Sequence, residues 1–142
     1  MSAARQDAEA PRPQVWPTLR ANDARALIAF LVEAFGFEET AVYGDDELVH
    51  HAELAWPEGG GVMLGSVRAD GPTEGGPTPP GLFSAYVVTA DPDGVHARAV
   101  AAGAVVTDAL HETDYGSRDF AARDPEGNHW YFGTYRGEPR RG

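Results

Sequence analysis

Pro57-Glu58-Gly59 and Pro125-Glu126-Gly127 spell the same turn at an offset of 68 residues (125 − 57). Holding that offset, Val62-Met63-Leu64-Gly65-Ser66 falls on Trp130-Tyr131-Phe132-Gly133-Thr134, which keeps the order apolar, large, apolar, glycine, small hydroxyl. Further upstream Asp23 falls on Asp91, Leu27 on Val95, Leu31 on Ala99, Trp16 on Ser84 and Thr18 on Tyr86. One offset that aligns a strand, a helix start and a turn constrains the chain to two copies of a single supersecondary unit.

Each copy reads as a strand, a helix and three strands. In the first, "VWPTLRA" is a short strand, and Asn22 or Asp23 supplies the side-chain oxygen that caps a helix running to Phe35. Ala24, Leu27, Ile28, Leu31 and Phe35 share one helical face, and Gly36 suits the left-handed residue that ends it. "FEETAVYG", "ELVHHAELAW" and "GVMLGS" follow as strands. In the second copy "FSAYVVT" is a strand, Asp91 caps a helix with Pro92 at its first position, and Gly103 ends it. "AVVTDAL", "RDFAARD" and "NHWYFGTY" complete the set. The reading is an α+β chain of two βαβββ modules, 15–67 and 82–136, joined by a Gly/Pro linker at 68–81 and flanked by loose tails at 1–14 and 137–142. The two modules are expected to form one structural domain.

Composition narrows the chemistry. The 142 residues contain no cysteine, which removes disulfides, thiol nucleophiles and thiolate metal sites. All eleven basic residues are arginine, which removes a Schiff-base lysine. A net charge of −11 repels nucleic acid and anionic membranes and weakly attracts cations. The first fourteen residues lack the apolar stretch of a signal peptide, and the best apolar run, "ALIAFLV", is far shorter than a membrane span. A cytoplasmic protein without nucleic-acid or membrane partners is the expectation.

The paired plan, with "DPEGN" ahead of the last strand and "YGSRDFAARDPEGNHWYFGTY" around it, resembles the vicinal oxygen chelate superfamily from about Val15 to Tyr135. That superfamily includes glyoxalase I, extradiol dioxygenases, fosfomycin-resistance enzymes and bleomycin-resistance proteins. The resemblance is nearest to the bleomycin-resistance-like or uncharacterised glyoxalase-like branch. It implies that the two modules are related by a pseudo-twofold axis, with cup-shaped mixed sheet and helices outside. It also implies a homodimer with the pocket near the subunit interface. In the family's enzymes the first and last strands of each half hold one divalent ion. Carried over, those positions are Trp16, Met63, Ser84 and Tyr131. An indole, a thioether, a neutral hydroxyl and a protonated phenol make a poor donor set for a divalent ion, so no metal and no other cofactor are expected.

Strand alternation predicts what the cup presents instead. Trp16, Thr18, Met63, Gly65, Ser84, Tyr86, Val88, His129, Tyr131 and Gly133 share its face, while Val62, Leu64, Trp130 and Phe132 pack under the helices. Aromatic walls with sparse polar anchors suit a small-molecule pocket; the alternative is that these rings only fill the core. In "HHAEL", His51 and Glu53 point toward the cup, either as an acid–base pair or as a mutually satisfied polar pair. In "YGSRDF", Tyr115 is placed to cap the pocket, and Arg118 or Asp119 to anchor a ligand, unless Arg118 only pairs with a carboxylate. Three functions follow from these readings. One is a metal-free, antibiotic-resistance-like protein sequestering an aromatic or cationic small molecule. The second is a metal-free enzyme using His51 and Glu53, with Tyr131 as a donor. The third is a metal-dependent lyase or dioxygenase whose ligands sit in another register.

Overall fold

A computed structural model describes residues 12–68 and 76–141. Most of the 1–14 tail, residues 69–75 of the 68–81 linker, and the last residue of the 137–142 tail lie outside the described residues. Among the described residues the order is β1 (Thr18–Ala21), α1 (Ala24–Phe30), β2 (Glu38–Gly44), β3 (Val49–Ala55), β4 (Gly61–Ser66), β5 (Ser84–Val88), α2 (Pro92–Ala101), β6 (Val105–Glu112), β7 (Arg118–Arg123) and β8 (His129–Gly133). The strands form two four-stranded mixed sheets, β1-β4-β3-β2 and β5-β8-β7-β6, with a helix packed on each.

The repeat is a repeat of register. β1 pairs parallel with β4 through Thr18–Met63, and β5 pairs parallel with β8 through Tyr86–Tyr131; both partners are displaced by 68 (86 − 18 and 131 − 63). The helix caps follow suit. Asp23 accepts from Ala26 N and Asp91 from Gly94 N, each satisfying a free first-turn N–H. The helices then differ. From cap to left-handed glycine is 13 residues in the first half (36 − 23) and 12 in the second (103 − 91). The extra residue is absorbed in a π-type turn over Leu31–Phe35. A shorter hairpin restores the offset: four residues, 45–48, separate β2 from β3, against five, 113–117, between β6 and β7.

The π-type turn lies at the centre of the core. Leu31, Ala34 and Phe35 are all buried there, and the Phe35 ring reaches across the halves to Trp130 (5.8 Å between centroids) and Phe132 (4.7 Å). Phe37 contacts Trp56 and Trp130. The two halves therefore share one hydrophobic cluster, which includes Leu19, Leu27, Leu54, Leu64, Phe120 and Phe132.

The repeated turn has a second role that alternation does not reveal. The carboxylate of Glu126 accepts from Asn22 N (2.9 Å), Asn22 Nδ2 (3.2 Å) and Asp23 N (2.8 Å), at the start of the first half's helix. The carboxylate of Glu58 accepts from Thr89 Oγ1 (2.7 Å) and Ala90 N (2.8 Å), at the start of the second half's helix. Each turn clasps the other half's strand-to-helix corner, where a negative charge also meets the positive end of the helix.

Removing either clasp leaves polar donors without their charged acceptor, so Glu126→Ala and Glu58→Ala should each destabilise the protein by about 1–3 kcal/mol. Urea unfolding checks this; an unchanged midpoint in Glu126→Ala would deny the clasp an energetic role.

Candidate functional site

Because the apolar faces of both sheets are spent on the shared core, their other faces are open. Val62, Leu64, Trp130 and Phe132 are buried, as alternation requires, while their neighbours Met63 and Tyr131 are not. Cross-strand register orders the open faces into rows. On the first sheet Thr18, Met63, Glu53 and Ala41 lie side by side. On the second, Tyr86, Tyr131, Ala121 and Asp108 occupy the matching row. Tyr86 is 41% and Tyr131 44% exposed, so these rings are not core filler.

Trp16 precedes β1 and is not part of it; its ring packs over Gly61, where a side chain would collide with it. Ser84 opens β5 beside His129 in register. Thus Trp16 and Ser84 lie two residues down the strand direction from the Thr18–Met63 and Tyr86–Tyr131 rows. The side chains present do not fit a divalent ion, because indole, thioether, hydroxyl and phenol offer no imidazole or carboxylate ligand. Among the described residues no group of three or more His, Asp or Glu side chains is placed to hold one.

On β3, His51 and Glu53 do meet, with Nε2 to Oε2 at 2.9 Å and both side chains about one-third exposed or less. The His51 ring also stacks on Tyr43, with centroids 6.2 Å apart. The other histidines lie elsewhere. His50 contacts Arg68, the His96 ring packs edge-on against Phe120, and His111 reaches the Ala109 carbonyl.

The loop before β7 forms a hydroxyl cluster around one carboxylate. Asp119 Oδ1 accepts from Ser117 Oγ (2.5 Å) and from the Tyr86 hydroxyl (3.3 Å), and Oδ2 accepts from the Tyr115 hydroxyl (3.2 Å). The Tyr115 and Tyr135 rings meet edge to face at 5.5 Å. A side chain at Gly133 would occupy the space of both Asp119 and the Tyr86 hydroxyl, so glycine is required for them to meet. Of the two readings of Arg118, pairing is the one observed: it binds Asp93 (2.6 Å) and Glu112 (3.2 Å), and its guanidinium holds the Asp93 carboxyl below the usual carboxylate range. The sequence reading passed over Ser117, which is buried, and Tyr135; the pattern Ser-Arg-Asp in a tyrosine-bearing loop was the available signal.

A cleft of about 350 Å³ runs along the free edge of β5, between that strand and the turn Gly59–Gly61. Trp56, Val87 and Trp130 form its floor, and Tyr86 and Arg136 stand at its margin. Tyr86 thus borders both the cleft and the open sheet face. The indoles of the floor are fixed by hydrogen bonds, Trp56 Nε1 to the Val88 carbonyl and Trp130 Nε1 to Asp124 Oδ2, both 2.9 Å.

Loss of hydration, and then the Asp119 charge, push the Tyr115 phenol above its ordinary value. With the folded value raised, this contact's contribution is complete below the unfolded tyrosine value and is lost as pH rises through the folded one. An NMR titration of ring-labelled tyrosine should show Tyr115 ionising late, and Asp119→Asn should bring its midpoint down. An unmoved midpoint would remove Asp119 as a cause.

The sequence profile of the Glyoxalase/Bleomycin resistance protein/Dioxygenase superfamily matches residues 14–132. An uncharacterised protein of Mycobacterium bovis, Mb0911c, is 34% identical over 129 residues, covering 85% of this chain and 82% of its own. The crystal structure of TioX from Micromonospora sp. ML1 superposes with a TM-score of 0.67 at 29% identity, over 81% of this chain and 92% of that one. A glyoxalase/bleomycin resistance protein from Streptomyces sp. CB03234 gives 0.61 at 26% identity, over 80% and 93%. The paired registers, the mixed sheets and these matches agree: the chain belongs to the Glyoxalase/Bleomycin resistance protein/Dioxygenase superfamily.

Proposed function

We propose that this protein binds and sequesters a planar aromatic small molecule on its open sheet faces without chemical turnover. The observation that carries the reading is the half-exposed pair Tyr86 and Tyr131, adjacent in register at the centre of an open face. Half-exposed aromatic rings of this kind serve stacking, each ring pair contributing about 0.5–1.5 kcal/mol beyond area burial. Thr18, Met63 and Ser84 supply the smaller contacts, with Trp16 as a further wall and Tyr115 and His129 at the ends. Glu53, held by His51, is the anchor for a basic group if the ligand has one. A second copy of the chain completes the pocket: two four-stranded sheets leave free edges at β1 and β5, and a homodimer would cover the open faces beside them.

The neutral planar probe naphthalene-2-methanol tests this. Tyr131→Glu removes a ring and places an unpaired charge on the face, so affinity should fall about tenfold, and Trp16→Ala should lower it about threefold. Unchanged affinity in both variants would sink the reading. Zinc, nickel, manganese or iron at one equivalent should leave the melting temperature unmoved, and light scattering should give a dimer; a tightly held metal would restore the lyase or dioxygenase reading.

The 2.9 Å His51–Glu53 pair supports a second reading, a metal-free enzyme in which the two exchange a proton with substrate. A His51→Ala variant that keeps probe affinity but loses a measured turnover would favour it. Loss of neither would leave the pair a structural one.

A further inference from the structure

We propose that Ser84, His129 and Arg123 form a carboxylate site at one end of the second sheet's open face, so that the ligand is an aromatic acid. This rests on the reading of that face as an aromatic-binding surface and names the ligand's polar end.

The three residues lie in one row across three strands, Ser84 opposite His129 and His129 opposite Arg123. Neighbouring strands are about 4.8 Å apart, so the backbone row spans roughly 10 Å, and the Arg123 guanidinium leans over His129 to bring its donors to the middle strand. Arg123 Nη2 stands 3.1 Å from His129 Nε2. A guanidinium only donates, so Nε2 accepts, and the neutral imidazole carries its proton on Nδ1. That tautomer makes the row a set of donors: the serine hydroxyl, the imidazole Nδ1–H and the remaining guanidinium N–H groups. A planar guanidinium is suited to binding a carboxylate through two parallel bonds.

One further observation singles the row out. The repeat supplies the control. Subtracting 68 carries Ser84, His129 and Arg123 to Trp16, Gly61 and Ala55: Gly61 pairs with Ala55 in the same register, the Trp16 ring lies over Gly61 from just before its strand, and none of the three is charged. The donors are therefore not demanded by the fold, which builds the same row without them. On the ring side, Tyr131 follows His129 on the same face, with centroids 6.5 Å apart, and so places an aromatic wall next to the donors.

The test is calorimetric titration of three probes with one ring system: 2-naphthoate, naphthalene-2-methanol and 2-(aminomethyl)naphthalene. Wild type should bind the carboxylate about tenfold tighter than the alcohol, and the ammonium most weakly. Arg123→Gln should lose about tenfold for the carboxylate and less than about twofold for the alcohol, and Arg123→Lys should recover part of the loss. The inference is overturned if Arg123→Gln leaves naphthoate binding unchanged, if the ammonium probe binds more tightly than the carboxylate, or if wild type does not bind naphthoate. Binding of the alcohol with no gain for the carboxylate would overturn it while leaving the aromatic reading standing. Arg123-dependent naphthoate binding without alcohol binding would uphold the donor row and overturn the aromatic surface.

Discussion

Two carboxylates at one repeated position hold the halves of this protein together. Glu126 caps the corner that starts the first helix and Glu58 the corner that starts the second. The arrangement is reciprocal, like an interface between identical subunits, but the subunits are covalently joined. Its consequence is orientation. With the corners clasped, the apolar sides of both sheets and the helices close on one core, and Phe35 can pack on Trp130 and Phe132 of the other half. The opposite sheet faces are left outward, so any ligand chemistry on the sheets has to be written there or in the cleft along β5.

Much of this was legible in the sequence because the repeat transmits register. An offset of 68 sufficed to pair Thr18 with Tyr86 and Met63 with Tyr131, and the structure places each of those in the same row as its parallel partner. Period-two alternation then separated Val62, Leu64, Trp130 and Phe132 from Met63 and Tyr131, because each pleat alternates sides whatever lies across it. What alternation does not encode is partnership between residues distant in sequence. Glu58 and Glu126 are visible as a repeated word, but the donors they accept from lie 31 or more residues away, so their role as clasps is not readable in the sequence. The apolar pattern extends the first strand back over Trp16, whereas the strand begins two residues later at Thr18. The contact between Arg123 and His129 is made across two strands, and alternation along one strand does not display it.

The one-residue mismatch between the halves shows how a repeat can drift without losing its symmetry. A straight copy of the second helix would have reached Gly36 one residue sooner. The π-type turn over Leu31–Phe35 widens the helix instead and buries Ala34 and Phe35 together. The following strands run at an offset of 67 (105 − 38), and the tighter first hairpin brings β3 and β7 back to 68 (123 − 55). Insertion and deletion thus cancel before the clasping turn. They have to, because an offset left uncorrected by one residue would turn every side chain of the last strand to the wrong face.

Comparing the halves position by position separates what the fold needs from what it leaves free. The buried face keeps its character: Leu19 with Val87, Val62 with Trp130, Leu64 with Phe132, Leu54 with Ala122. The open face does not. Thr18 stands against Tyr86, Met63 against Tyr131, His51 against Asp119 and Ala55 against Arg123. A packed core penalises changes in volume and polarity at every site, so both copies remain under the same constraint. A solvent-facing row carries no such penalty, and it is free to take whatever a ligand selects. The first sheet carries Glu53 beside His51 on its open face, and the second carries Arg123 beside His129 with Tyr131 next along the strand. A symmetric frame thus carries two unlike open faces, and the difference lies on the surfaces that the clasps turn outward.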